Sequence, residues 1–423
     1  MPPPDRWALA SCCKTIFGQL FSSPVLWGDL HVRLGSSEAL GQAFCAWLTK
    51  RRAGVQRLHI QWDKHPATPD GLAVLTGSDL TKLELTKATL LQTKQPHGLL
   101  TLPGMPLPAS QPQVALPRLP AMQKLVLREC DWVLEAVARS LPSKFPALVA
   151  LEVLSTYMPR EATFNCVGSL KTLTHLCIVD CGLKRVPEQL SQLLALKELD
   201  LSSNRSLGRG YEGEQLAAHL HILQPLTELT ALSLSKCGFQ SVPAQLSSLA
   251  ALGALDLSGN QFNKTPAGLA NLKVLQRLTR LNLHNCDLIG SCQKDPGISS
   301  LSPLSFLADL DLSRNCIYEV HHLDVLQHLT GLTRLNIAAT VIRIPPASIA
   351  ALQSLQVLDV SHNNMRGNEA GIISYPHLHQ LPQLTSLDLS SCNLHSWPAG
   401  ISQMPSLKVS NACLLRLLAF YLQ

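Results

Sequence analysis

Aromatic residues make up only 5% of this sequence and charged residues only 15%. With so few rings, a core has to be built from aliphatic side chains. Few charges beside 46% hydrophobic residues exclude a disordered chain. The 13 cysteines contain no CxxC pair and no Cys/His spacing of a zinc site, so they read as free thiols of a reducing compartment. No apolar run approaches the roughly 20 residues that span a bilayer. Met1-Pro-Pro-Pro-Asp5 has neither the basic nor the apolar region of a secretory signal. The expectation is a cytoplasmic or nuclear chain with no membrane partner, for which the sequons at Asn204 and Asn263 carry little weight. A net charge of +6 is a mild excess at this length. Its densest cluster, Lys50-Arg51-Arg52 with Arg57, reads as a solvated helix end, so no nucleic acid is expected.

Catalytic signatures are missing as well. There is no GxxxxGK[ST], GxSxG, HExxH, kinase set or dinucleotide fingerprint. The dense histidines, His321-His322 and His377-Leu-His379, read as solvated loop residues. No enzyme activity, cofactor or metal is expected.

What the sequence does contain is leucine in a period. Leu173-Thr-His-Leu176-Cys-Ile178-Val-Asp-Cys181 follows L-x-x-L-x-L-x-x-N/C, and further copies start at Leu196, Leu229, Leu252, Leu278, Leu307, Leu332, Leu355 and Leu384, with a tenth breaking off at Leu407. The shortest unit is 23 residues, and longer ones carry insertions such as Ser206–Ala217 and Gly290–Pro303. The L-x-L centre predicts a short strand with alternate side chains inward. One repeat cannot bury its leucines alone, so stacked repeats must share one core. The last slot takes Asn or Cys (Cys181, Cys237, Cys286, Cys392), whose side chains can bond backbone groups of neighbouring turns. In the second half, Leu183-Lys-Arg-Val186-Pro187 and Phe239-Gln-Ser-Val242-Pro243, with versions at Pro266, Pro345 and Pro398, predict short helical or 3₁₀ turns opened by proline. Degenerate copies precede these at Val55–Ile60, Leu80–Leu85, Met122–Cys130 and Leu148–Val153.

These segments resemble the typical leucine-rich-repeat family, with its L-x-x-L-x-L-x-x-N-x-L-x-x-V-P-x-x-L-x-x-L unit. The Gly-x-Ile-Pro wording of the plant receptors is not seen. The resemblance implies an α/β leucine-rich-repeat solenoid, a curved horseshoe with parallel strands on its concave side and short helices or 3₁₀ turns on its convex side. The expected organisation is a helical segment over 1–34, degenerate repeats over 35–170, regular repeats over 171–407 and an apolar tail over 408–423, read as truncated. Within the degenerate region, the Pro-rich stretch 92–120 reads as an extended surface loop.

In the first segment, Leu9, Cys12 or Cys13, Ile16 and Leu20 fall at helical spacing and Ser22-Ser23-Pro24 stops the helix. Cys12-Cys13-Lys14 … Phe17 … Ser23-Pro24-Val25-Leu26-Trp27 is similar to the second half of an F-box. The aromatic slot is one residue out of step, falling on Ile16 or Phe17 according to the end counted from. The family's opening L-P-x-E helix is absent, so the module reads as truncated. The resemblance implies contact with a Skp-type adaptor, and through it a cullin, by Leu9, Cys13, Phe17, Pro24, Leu26 and Trp27. The plain alternative is a helical cap over the first repeat.

The outward strand positions are the candidate binding face. Asp200, Asp256, Asp311, Asp359 and Asp388 form an acidic stripe, with Arg280, Arg314, Arg334, His284 and His362 in neighbouring rows. The expected function is a non-catalytic protein–protein scaffold, holding a protein partner on this concave face. The F-box resemblance implies a substrate receptor for a cullin-type ubiquitin ligase. The alternative is an intracellular scaffold of cytoskeleton or ciliary axoneme with no ubiquitin-ligase role.

Overall fold

The computed structural model describes residues 29–34, 48, 55–62, 75, 78–87, 118–130, 141–156, 167–208, 218–264, 268–290, 297–365, 377–394, 401, 404 and 406–411. The F-box-like residues Leu9, Cys13, Phe17, Pro24, Leu26 and Trp27 lie outside them, as do Pro266, Pro398 and most of the Pro-rich stretch. Packing divides the chain into two compact units, Met1–Leu183 with Pro187–Leu196, and Lys184–Val186 with Lys197–Gln423.

The first unit carries parallel strands β1 (Asp29–Leu34), β2 (Arg57–Trp62), β3 (Lys82–Thr86), β4 (Lys124–Arg128), β5 (Ala150–Leu154) and β6 (His175–Val179), each paired with the next. Where the sequence reading ends a helical segment at 34, residues 29–34 are thus the first strand of the sheet. Leu30, Leu58, Leu83, Leu125, Leu151 and Leu176 stand in register and are buried, because a parallel pairing of period-two sequences puts like positions side by side.

The second unit repeats the plan with shorter strands. These are β7 (Glu198–Asp200), β8 (Ala231–Ser233), β9 (Ala254–Asp256), β10 (Arg280–Asn282), β12 (Asp309–Asp311), β14 (Arg334–Asn336), β15 (Val357–Asp359), β16 (Ser386–Asp388) and β17 (Val409–Asn411), all parallel. The copy begun at Leu407 therefore contributes a strand, with Ser410 at the position where Leu387 points inward. β11 (Ile289–Gly290) and β13 (Cys316–Ile317) form a second, two-stranded parallel sheet. The leucines that open each copy, from Leu196 through Leu384, are buried at 0–1% exposure, each worth roughly 1.5–3 kcal/mol of transfer free energy. Among the described residues the core is aliphatic, as the scarcity of rings requires, apart from buried Phe145, Phe239 and Phe262.

On the return half of the repeat, 3₁₀ helices Glu188–Gln192, Ala244–Ser248 and Ala347–Ala351 each follow a proline, Pro187, Pro243 and Pro346, with φ of −62°, −64° and −65°. The proline stands just before the helix rather than in its first turn, and in the last case it is Pro346 rather than Pro345. Its fixed φ sets the direction of entry without an amide left over.

The Asn/Cys slot closes each turn. Asn315 is 1% exposed; its Oδ1 accepts from the amides of Cys286 (3.0 Å) and Leu288 (3.1 Å), and its Nδ2 donates to the carbonyls of Leu283 (2.9 Å) and Leu312 (2.7 Å). Asn260 makes the same four bonds one repeat pair earlier, to Cys237, Phe239, Leu234 and Leu257. A thiol does less: Cys237, Cys286 and Cys392 each donate to a carbonyl of the preceding repeat at 3.2 Å. Burial pushes the Cys181 and Cys392 thiols up to about 11 and those of Cys237 and Cys286 up to about 12, so they stay protonated and structural.

The residue before the slot is left-handed in copy after copy. Glu129, Asp180, Lys236, Asn285, Arg314, Ala339, His362 and Ser391 have φ between 51° and 55° or close above, and Gly259 takes the position at 69°. The conformation lets the amide donate to the next repeat, as Arg314 does to Ala338 O and His362 to Ser390 O, at 2.9 and 2.8 Å.

Candidate functional site: the outward strand face

In the second unit the side chains opposite the leucine core form two rows. The first is Glu198, Ala231, Ala254, Arg280, Asp309, Arg334, Val357 and Ser386, in direct register. The second is Asp200, Ser233, Asp256, Asn282, Asp311, Asn336, Asp359 and Asp388. Seven of the predicted residues, Asp200, Asp256, Arg280, Asp311, Arg334, Asp359 and Asp388, thus fall on these rows. His284, Arg314 and His362 follow the strands instead. His284 is half-buried and its Nδ1 lies 2.7 Å from Ser313 Oγ, while Arg314 and His362 are exposed at the left-handed position.

The second row has a job in the fold. Oδ1 of Asp200, Asp256, Asp311, Asp359 and Asp388 accepts the amide two residues on, at Ser202, Ser258, Ser313, Ser361 and Ser390, at 2.8–2.9 Å. Asn282 and Asn336 do the same for His284 (2.9 Å) and Ala338 (3.0 Å). This side-chain turn ends the strand and starts the bend toward the slot. It engages one oxygen of each carboxylate, and the second is left for other partners; Asp311 Oδ2, for example, accepts from Asn336 Nδ2 at 3.2 Å. Aspartate alternates with asparagine from Asp256 to Asp359. Adjacent strands lie about 4.8 Å apart, so neighbouring carboxylates would repel, and the alternation doubles their separation.

The first unit carries a charged outward face that the sequence reading did not single out. Lys124 pairs with Glu152 at 2.5 Å, Lys82 with Glu84 at 3.3 Å and Arg57 with Asp29 at 3.4 Å. His31 Nδ1 lies 3.0 Å from His59 Nδ1, and His59 Nε2 lies 3.0 Å from Thr86 Oγ1. Burial holds His59 below its ordinary value against the pull of Glu84, and the neighbouring His31 adds to the depression. The alternating wording Arg57-Leu-His59-Ile and Lys82-Leu-Glu84-Leu is the signal that marks this face in the sequence.

His321 and His322 stand in the 3₁₀ helix Val320–His328, and His377 and His379 at and in Leu378–Gln380, on the return half rather than in loops. Among the described residues, no group of three or more His, Cys, Asp or Glu side chains converges as a metal site requires, and no helix is long and apolar enough to cross a membrane.

A family model described as Zer-1-like leucine-rich repeats matches residues 298–416. No curated protein matches the chain by sequence. Among solved structures, a leucine-rich-repeat protein of Leptospira interrogans is similar at 19% identity, with 95% of each chain covered and a TM-score of 0.57. The TLR13 chain of a TLR13–ssRNA13 complex is similar at 18% identity and a TM-score of 0.57, with 91% of this chain and 54% of that one covered. At these identities the likeness is one of fold, and it agrees with the period, the register and the slot: the chain has the leucine-rich-repeat fold.

Proposed function

We propose that this chain is a non-catalytic scaffold that holds a protein partner on the outward strand face of its second unit. The observation that carries the reading is the register of that face. Asp256, Asp311 and Asp359 recur on alternate strands, and Arg280 and Arg334 are exposed between them. A rigid, regularly spaced array of charges suits recognition of a protein surface. The finer reading is a substrate receptor for a cullin-type ubiquitin ligase. In it, the F-box-like segment around Phe17, Pro24 and Trp27 meets a Skp-type adaptor and the repeats select the substrate.

The test of the scaffold uses Asp256→Asn/Asp311→Asn/Asp359→Asn. Asn282 and Asn336 show that asparagine keeps the turn bond, so the variant removes charge and leaves the fold. Proximity labelling in cells with the full chain should yield partners whose capture drops at least tenfold in the variant. An unchanged partner set sinks the reading. Co-precipitation with the Skp-type adaptor and cullin, lost on Trp27→Ala, is the expected result for the ligase reading. Their absence from the full chain's precipitate leaves a scaffold of another kind, such as one on cytoskeleton or axoneme.

A further inference from the structure

Three charges stand in one line on neighbouring strands of the second unit: Arg280, Asp309 and Arg334, with Arg280 beside Asp309 and Asp309 beside Arg334. Both arginines are exposed and Asp309 is half-buried. Among the described residues none of the three takes an ion-pair partner, although the first unit forms several on its equivalent rows. The line is bordered by Ala254 next to Arg280 and by Val357 next to Arg334, both half-buried. Read across the strands, the surface is small apolar, basic, acidic, basic, apolar.

From these positions we infer that the line docks an α-helix of a partner protein, laid across the strands, with acidic, basic and acidic side chains facing Arg280, Asp309 and Arg334. The inference rests on the scaffold reading above and names the form and charge order of the partner. Spacing selects the helix. Neighbouring strands put the charges about 4.8 Å apart. A helix rising about 1.5 Å per residue brings a side chain to the same face every three or four residues, or about 5.3 Å. An extended segment presents one face every second residue, roughly 6.7 Å, and overshoots by almost 2 Å per strand. It would be out of step by the third charge. The distance from Ala254 to Val357, four strand spacings or about 19 Å, corresponds to about 13 helical residues. The partner helix therefore carries apolar residues one turn before and one turn after its acid–base–acid run. A nucleic-acid backbone fits less well, since Asp309 between the two arginines repels phosphate.

The test is a selection on the full chain. The probes are a displayed library of segments of about 18 residues, one half on a helix-stabilised backbone and the other half unstructured. Expected is enrichment of helices with Asp or Glu, then Lys or Arg, then Asp or Glu at steps of three or four. Binding should fall at least tenfold on Arg280→Glu/Arg334→Glu, and a helix with Lys at all three positions, which keeps a base opposite Asp309, should bind that variant in preference to the parent. Arg280→Gln/Arg334→Gln, which places no new carboxylate beside Asp309, is the second variant and should lose binding of both helices. Enrichment of unstructured segments, of helices without this charge order, or of binders indifferent to both arginine variants overturns the inference. If such other binders still weaken on the Asp256/Asp311/Asp359 variant, the helix inference alone has failed. If nothing enriched depends on either set of residues, the scaffold reading has failed with it.

Discussion

Strands β2 to β6 of the first unit run for five or six residues, and strands β7 to β16 of the second (the small β11–β13 sheet apart) stop after three. The residue at the middle outward position accounts for the difference. The first unit has His59, Glu84, Val126, Glu152 and Cys177 there; the second has Asp or Asn at every strand except Ser233. Aspartate and asparagine reach back to their own amide two residues on and bend the chain. Glutamate, one methylene longer, reaches other side chains instead: Glu84 pairs with Lys82 on its own strand and Glu152 with Lys124 on the neighbouring one. Ser233 lies between Asp200 and Asp256, and its strand ends with theirs because a ladder needs both sides. One unit therefore pairs its outward charges among themselves, whereas the other ties its row of carboxylates to the backbone and leaves Arg280 and Arg334 projecting. The same fold gives a closed charge network in one place and an open array in the other.

The comparison is broken most severely at the slot. Asn315→Ala should cost about 3 kcal/mol, because it orphans the amides of Cys286 and Leu288 as well as two carbonyls. In the first unit Cys130, whose thiol reaches Leu85 O at 3.2 Å, should lose only about 1 kcal/mol on replacement by alanine. Denaturant titration, with hydrogen exchange to place the loss within the array, checks both. Equal costs would mean that thiol and amide slots are equivalent.

A smaller effect sharpens the account of strand length. Asp311→Glu keeps the charge yet moves the carboxylate away from the Ser313 amide, 2.8 Å distant in the parent, and should destabilise by about 1 kcal/mol. Asp311→Asn removes the charge, keeps the bond and should be close to neutral. A larger Tm loss for Asp311→Asn than for Asp311→Glu would show that charge, and not the turn, is what the position supplies.

The smallest effect belongs to the first unit. His59 is held below its ordinary value of 6.5, mainly by burial. Above that pH both folded and unfolded forms are neutral there and the contribution to stability is complete. As pH falls through 6.5 the unfolded chain takes up a proton first, and stability declines until the folded value is passed. His59→Gln should flatten this part of the stability profile, read by urea titration between pH 7.5 and 5. A profile unchanged by the substitution would assign the slope to other groups.

The repeat was legible because a buried leucine period is a local pattern. The starts at Leu196 through Leu384 and the thiols of the slot follow from it directly. The degenerate copies, including Arg57–Trp62 and Lys82–Thr86, were visible for the same reason. What the period does not carry is the second use of the acidic row. Asp256 looks like a surface charge in the sequence, and only the bond to the Ser258 amide shows that it also ends its strand. Nor does the period show that Asp309 stands between the two arginines: that depends on pairing strands 29 and 25 residues apart.

The strand pairing has an evolutionary reading too. Asp200 and Ser233 are neighbours although 33 residues apart, and so are Ser233 and Asp256 at 23. The longer connection leaves no trace in the register of the outward rows. Insertions and deletions between strands are therefore silent on the face that bears Arg280 and Arg334, and substitutions on that face are silent in the connections. A lineage can remodel the back of each copy by length and the front by identity, each without undoing the other.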